Sequence, residues 1–212
     1  AGEGGGGRGG AMTGAFWVAS LVVVVSPGAG SLLTLAAGLG QGRRAAVVCA
    51  FGCTLGTLPH ALAATTGAAA VLAASPRAYE GLLLAGAAYF FYLAWAILRQ
   101  RGMLDLTGRV QPGWQVLLQA IGLNLLNPKL SLFFLAFLPQ FVRPDGPGWL
   151  AQMLQLSLAF MGLTFVVFVG YGLTAAHLRD RVLGRPAVQQ GLRYGFSLAF
   201  AGLGLMMLRQ LG

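Results

Sequence analysis

Along the chain, apolar residues gather into six blocks divided by short polar links: 14–40, 45–68, 79–99, 114–142, 150–175 and 191–210. Each approaches the roughly 20 residues that a helix needs to cross the hydrocarbon core of a bilayer. The pattern predicts an all-α membrane protein with six transmembrane helices. Residues 1–11 stand apart. They are mostly glycine, lack the apolar core of a signal peptide, and read as a flexible low-complexity extension. Met12 is a candidate natural start, so the membrane domain is expected to comprise residues 12–212.

Two blocks are interrupted where a spanning helix should be continuous. In the fourth, Asn124, Asn127, Pro128 and Lys129 fall within an otherwise apolar run. Pro128 cannot donate the helical hydrogen bond that a carbonyl near Asn124 expects, and water does not reach that carbonyl in hydrocarbon, so another group must satisfy it. The stretch from Trp114 to Leu126 makes roughly 20 Å of helix and a similar length follows, which sets the interruption near mid-membrane. A lysine at that depth should face a cavity or a partner rather than lipid, and Lys129 is the chain's one lysine. The competing account is a tolerated proline kink with Lys129 snorkelling to the surface.

The first block breaks at Ser26-Pro27-Gly28, with Gly30 just beyond. Interruptions in the first and fourth helices fit a chain of two three-helix halves. An odd number of helices per half makes the second copy enter the membrane from the opposite side, an inverted repeat. The halves share no strong residue-level identity, so this reading rests on break positions and helix parity.

Composition sharpens the class. With 57% hydrophobic and 9% charged residues, the chain is far from the roughly 25% charged residues of soluble domains. A net charge of +9 invites a nucleic-acid reading, but the basic residues sit in short clusters between apolar blocks, so no nucleic-acid partner is expected. The odd-numbered links hold Arg43, Arg44, Arg99, Arg101, Arg109, Arg179, Arg181, Arg185 and Arg193. The even links and the tails hold Arg77, Arg143, Arg8 and Arg209. The positive-inside rule then places the odd links in the cytoplasm and both termini outside, which agrees with an even helix count, since that requires the termini to share a side.

Candidate chemistry is sparse. Cys49, Gly52, Cys53, Gly56 and His60 share one face of the second block, and the Gly52/Gly56 pair predicts close approach of a neighbouring helix, so this stripe should face the bundle interior. His60 is either a structural hydrogen-bonding group or a proton-responsive one, since imidazole titrates near neutrality. His60 and Lys129 are the two proton-coupling candidates. Tyr89, Tyr92 and Trp95 either pack or line a pathway, and blocks five and six, with Gly162, Gly170, Gly172, Gly202 and Gly204, read as packing helices.

The acids Glu3, Glu80, Asp105, Asp145 and Asp180 are assigned to tails and links. A dicationic solute would call for a buried carboxylate, so their absence from the apolar blocks favours a neutral solute over a basic one. Half-helix N-termini present N–H groups and partial positive charge. With Lys129 they predict a midplane site for a small solute bearing a carboxylate, any cationic part being met by carbonyls or Asn side chains. The substrate-binding set is Ser26, Pro27, Gly28, Gly30, Asn124, Asn127, Pro128 and Lys129. No cofactor or metal is expected, and no nucleophile–base pair or carboxylate dyad can be assembled for an enzyme. Homo-oligomerisation is open: Gly38 to Gly42 and Gly52 to Gly56 can serve contacts within or between chains.

The fourth block, Asn124-Leu-Leu-Asn-Pro-Lys129 running into Phe133-Phe-Leu-Ala-Phe-Leu-Pro-Gln-Phe141, resembles the fourth-helix signature of the LysE/RhtB family of bacterial amino-acid exporters. Gly38 to Arg44, the Gly-rich stretch to His60, and Gly86-Ala-Ala-Tyr-Phe-Phe-Tyr-Leu93 support the likeness, which spans residues 12–212. The resemblance implies a secondary active exporter of the homoserine, threonine or lysine efflux type in the bacterial inner membrane, driven by the proton gradient. One departure stands out. The family's first helix carries Pro-Gly-Pro, and here Pro27 and Gly28 match while Ala29 and Gly30 do not. A missing second proline restores a backbone donor and softens the break.

Two other classes compete. A soft-metal or thiol-redox membrane transporter would rest on Cys49, Cys53 and His60 sharing a face, although two cysteines one turn apart on a helix suit a disulfide poorly and further metal ligands are wanting. A passive channel would show flux independent of the proton gradient.

Overall fold

The computed structural model describes residues 14–26, 28–66, 75–99, 111–142, 148–183 and 185–209. The Gly-rich residues 1–11 with Glu3 and Arg8, Met12, Pro27, Arg101, Asp105, Arg109, Arg143 and Asp145 lie outside them. Among the described residues every regular element is helical. In chain order these are α1 (Gly14–Val25), α2 (Ala29–Gln41), α3 (Arg43–Leu55), α4 (Leu58–Thr66), α5 (Pro76–Leu98), α6 (Gly113–Leu125), α7 (Pro128–Leu132), α8 (Trp149–Leu183) and α9 (Pro186–Leu208). Beyond α7 the chain widens into a π turn over Phe133–Phe137 and then tightens into a 3-10 turn over Leu138–Phe141.

All six apolar blocks are thus helical, and the molecule is an all-α, multi-pass membrane protein. Arg43–Thr66, Trp149–Arg181 and Pro186–Leu208 are each long and apolar enough to cross a membrane, and α1 with α2, bent by 54° at their junction, reach the same length and apolarity together. The outer surface agrees with immersion in lipid. Val18, Val22, Leu158, Val166 and Leu198 point outward with 63–72% of their area exposed. A water-soluble domain rarely presents such a continuous apolar exterior, whereas hydrocarbon accepts it without penalty.

Close helix packing explains the small residues. Gly38 of α2 lies against the carbonyl of Gly172 on α8, and a side chain at Gly172 would meet Ala46 at 2.7 Å and Thr34 at 3.0 Å. Gly52 and Gly56 bring α3 onto α6: a β-carbon at the first would lie 2.8 Å from Leu117 O, and at the second 2.8 Å from Ile121 O. The principal pairs are therefore α2 with α8, α3 with α6 and with α8, and α5 with α9. Gly162, Gly170 and Gly202 have open space where a β-carbon would stand, so only Gly172 and Gly204 of the expected glycines serve packing on the last two helices.

Three expectations change. The second block is not continuous, because Gly56 and Thr57 form a turn ahead of Pro59, which has no N–H to offer the preceding turn. Block five runs well past residue 175, so Arg179, Asp180 and Arg181 sit on α8 and Arg193 on α9 rather than in a link. Glu80 likewise lies within α5, exposed near its start. Arg179 has a structural task, donating from Nε and Nη2 to Gly40 O at 3.4 and 3.3 Å where α2 ends. Gly42 alone joins α2 to α3, at φ +88°, a conformation that glycine adopts without a steric penalty.

Candidate functional site

The breaks in the first, second and fourth blocks meet in the interior, and each frees carbonyls that a neighbouring element satisfies. At Ser26, the side-chain hydroxyl donates to Val23 O at 3.0 Å, and Tyr171 of α8 donates to Val25 O at 3.0 Å. Lys129 Nζ donates both to Ser26 O at 3.0 Å and to Ser26 Oγ at 2.8 Å. These residues are 103 positions apart in the chain, so the lysine ties the two broken helices together. Ammonium carries three donors, and two are engaged by Ser26.

The second and fourth blocks stitch each other. Because Thr57 N–H turns back to Thr54 O, the carbonyl of Cys53 is left for Asn124 Nδ2, which donates to it at 2.7 Å. Pro128 in turn denies Asn124 O its helical donor, and His60 Nε2 lies 3.0 Å from that oxygen. An acceptor there requires Nε2 to carry the proton, so Nδ1, 3.3 Å from Ser131 Oγ, accepts from the serine in the neutral ring. Asn127 N–H also donates to Asn124 O at 3.1 Å, so His60 supplies the second donor on the carbonyl that the proline break exposes. Its ring is buried and stacked on Phe134, centroids 6.4 Å apart.

With Nδ2 committed to Cys53 O, Asn124 Oδ1 is fixed toward Gly30, where a β-carbon would lie 3.0 Å from it. Asn124 is 2% exposed, and this oxygen is buried without a partner. Few buried polar atoms are left so without a functional reason.

These groups enclose a cavity of about 30 Å³ lined by Ser26, Gly28, Gly30, Asn124, Asn127 and Lys129 together with Phe160, Thr164 and Phe168. At roughly 10–15 Å³ per water, that is room for about two or three waters and not for an amino acid, so the site stands contracted. Phe160 stacks on Phe133 at 4.2 Å and backs the wall, beside the π turn that re-aims the fourth block.

Of the residues expected from sequence, Ser26, Gly28, Gly30, Asn124, Asn127 and Lys129 converge on this cavity. Pro128 opens α7 at its first position, and Pro27 lies outside the described residues. His60 is not in the cavity wall, and acts from behind through the Asn124 carbonyl. The half-helix N-termini are less open than expected. Gly28 N donates to Ser31 Oγ at 3.0 Å and Lys129 N to Asn127 Oδ1 at 3.1 Å, so those donors are already capped. Sequence reasoning missed the α8 contribution of Phe160, Thr164 and Phe168; the one signal was a lone threonine in mid-block. Cys49 and Cys53 are free, buried thiols packed on α2, the first 3.6 Å from Thr34 Oγ1 and the second 3.9 Å from Gly30 O.

A helical bundle with discontinuous spans, a cation joining them and an orphan acceptor at their meeting point has the architecture of a secondary transporter. The chain belongs to the family described as LysE type translocator, whose model matches residues 21–211; its members are transporters, not enzymes. It is 31% identical over 195 residues to the homoserine/homoserine lactone efflux protein of Salmonella typhimurium, covering 91% of this chain and 94% of that protein. It is 33% identical over 208 residues to the uncharacterized membrane protein PA4757 of Pseudomonas aeruginosa, covering 91% and 94%. To the leucine efflux protein of an Enterobacter species it is 28% identical over 167 residues, covering 73% and 79%. No solved structure matches.

Proposed function

We propose that this protein is a proton-driven exporter of a small neutral amino acid or a close relative of one, working in the bacterial inner membrane with both termini outside. The observation that carries the reading is the Lys129 bridge between two broken helices, beside a buried acceptor with nothing to bind. In this reading the carboxylate of the solute takes over Lys129 from Ser26, and its ammonium donates to Asn124 Oδ1, while Thr164, Phe160 and Phe168 face its side chain. The described acids Glu80 and Asp180 are both exposed and near helix ends, which supports a neutral solute. Two relatives named for efflux of homoserine or its lactone and of leucine support the direction and the solute class.

The packing also supports the inverted repeat. Exchanging the first block with the fourth, the second with the fifth and the third with the sixth converts the packing of block one on block five into that of block four on block two. The α5–α9 pair maps onto itself. The proton acts at His60: protonation of Nδ1 turns the Ser131 hydroxyl from donor to acceptor while Nε2–H keeps its hold on Asn124 O. The orphan acceptor and the titrating ring are therefore joined through one residue.

The test is uptake into inverted membrane vesicles under an imposed proton gradient, with labelled alanine, leucine, homoserine, homoserine lactone and lysine. Gradient-dependent uptake of neutral amino acids that Lys129→Met weakens sharply, by a raised KM, is the expected result. Uptake of the lactone alone would overturn the carboxylate assignment, and flux indifferent to the gradient would leave a channel.

A further inference from the structure

Beside the contracted site lies a larger space. A cavity of about 310 Å³ opens between α2, α5 and α6, and its polar lining comes from Gln111, Gln115 and Gln119. These recur every four residues, so they form one stripe on and just ahead of α6. Across the space stand Leu33 of α2 and, at the rim, Tyr92 and Trp95 of α5, each about half exposed. The cavity exists because α5 packs chiefly on α9 and touches α6 at few points, which leaves a cleft between that pair and the rest of the bundle.

Glutamines facing such a cleft need an explanation. Gln119 lies six residues into α6, roughly 9 Å beyond its start, where unpaired amides are unwelcome in hydrocarbon. No side-chain hydrogen bond to protein is seen for Gln115 or Gln119 among the described residues, and Gln111 Oε1 is buried without a partner. Water or a polar solute must solvate them. The cleft also points at the site. Leu33 follows Gly30 by about one turn of α2, and Leu123 follows Gln119 by about one turn of α6, just before Asn124. Both leucines are buried, Leu33 lining the cleft and each standing along its helix between a cleft residue or the glutamine stripe and a residue of the Lys129 cavity.

Its mouth is at the arginine-bearing end. Arg99 lies 5.8 Å over the ring of Trp95, the pairing expected at a membrane–water boundary, and Gln111 N donates to Gln41 Oε1 at 3.0 Å, next to Arg43 and Arg44. Gln111 also borders a second cavity of about 340 Å³ that reaches Arg44.

We propose that this glutamine-lined cleft is the solvated vestibule through which an uncharged or zwitterionic polar solute reaches the Lys129 site from the cytoplasmic face, Leu33 and Leu123 forming the gate. Its role as the route of export rests on the function proposed above; its being water-filled and one-sided does not. Amide walls hydrogen-bond a zwitterion at both ends without holding either charge, which suits passage rather than tight binding.

The experiment is cysteine accessibility in vesicles of both orientations, probed with a membrane-impermeant cationic thiol reagent. Wild type supplies the background, since Cys49 and Cys53 are 0% exposed. Gln115→Cys and Gln119→Cys should be modified from the cytoplasmic face only, and modification should take uptake of the transported amino acid to background. Leu118→Cys, on the outward face of the same helix and 57% exposed, should not react. Labelling of Gln119→Cys no faster than Leu118→Cys from either face would mean a lipid-filled cleft and overturn the proposal; labelling from the opposite face alone would overturn its sidedness. One-sided labelling together with no uptake of any amino acid would keep the vestibule and reject the proposed solute.

Discussion

Replacing His60 separates what its hydrogen bond does from what its proton does. In His60→Ala the Asn124 carbonyl loses its Nε2–H donor at 3.0 Å and keeps the Asn127 N–H at 3.1 Å, a turn bond standing where Pro128 denies the helical one. Losing one of two hydrogen bonds on a buried carbonyl costs about 0.5–1.5 kcal/mol, the lower end being typical of membrane interiors. Removing a buried ring that stacks on Phe134 adds about 2 kcal/mol, less than for a phenyl ring because imidazole is smaller. His60→Ala should therefore lose about 3 kcal/mol in all. His60→Gln keeps an amide donor of similar reach, and should lose less by about 1 kcal/mol. The assay is reversible unfolding in mixed detergent micelles, with tryptophan fluorescence and circular dichroism required to coincide. Transport provides the second arm: His60→Gln stays folded but cannot titrate, so its uptake should no longer respond to the proton gradient. Equal stability of the alanine and glutamine variants would refute the stitch. Gradient-driven uptake by His60→Gln at the wild-type level would refute the proton role while leaving the stitch intact. Imidazole ¹⁵N shifts in the wild type should report the Nε2–H tautomer at high pH.

Other residues give independent outcomes. Lys129→Met removes a charge-assisted contact to the carboxylate, worth about 1.5–3 kcal/mol, and should raise the KM for uptake roughly 10- to 150-fold, as vesicle kinetics would show. Gly30→Ala places a β-carbon 2.7 Å from Phe168 Cε2 and 3.0 Å from Asn124 Oδ1, so it should reject leucine before alanine in competition assays; unchanged selectivity would remove Gly30 and Phe168 from the solute pocket. Gly56→Ala meets Asn124 Cβ at 2.7 Å and Ile121 O at 2.8 Å, backbone that cannot give way, and should destabilise by about 1–3 kcal/mol in the same unfolding assay. Tyr171→Phe strips the donor from Val25 O and should cost about 1 kcal/mol with little change in solute preference.

The sequence alone determined the class, because the hydrocarbon imposes its own length and polarity on every segment that crosses it. Six apolar blocks, two mid-block prolines and one intramembrane lysine sufficed for an all-α membrane protein, and pointed to a candidate site at Ser26–Gly30 and Asn124–Lys129. It also posed a definite question, which group satisfies the carbonyl that Pro128 abandons, since a broken helix in lipid must be repaired from elsewhere. Only the tertiary structure decided the answers. That His60 reaches Asn124 O across 64 positions, that Lys129 caps Ser26 rather than snorkelling, and that α8 brings Phe160, Thr164 and Phe168 to the cavity all depend on which helices touch. The third break at Gly56-Thr57 was written in Gly56 and Pro59, yet a small-residue pair reads equally well as packing, and here it does both. Periodicity reports which way a side chain faces within its own helix. The partner it meets is set by close approach at Gly38, Gly52, Gly56 and Gly172, a property of two helices at once that no single stretch of chain encodes.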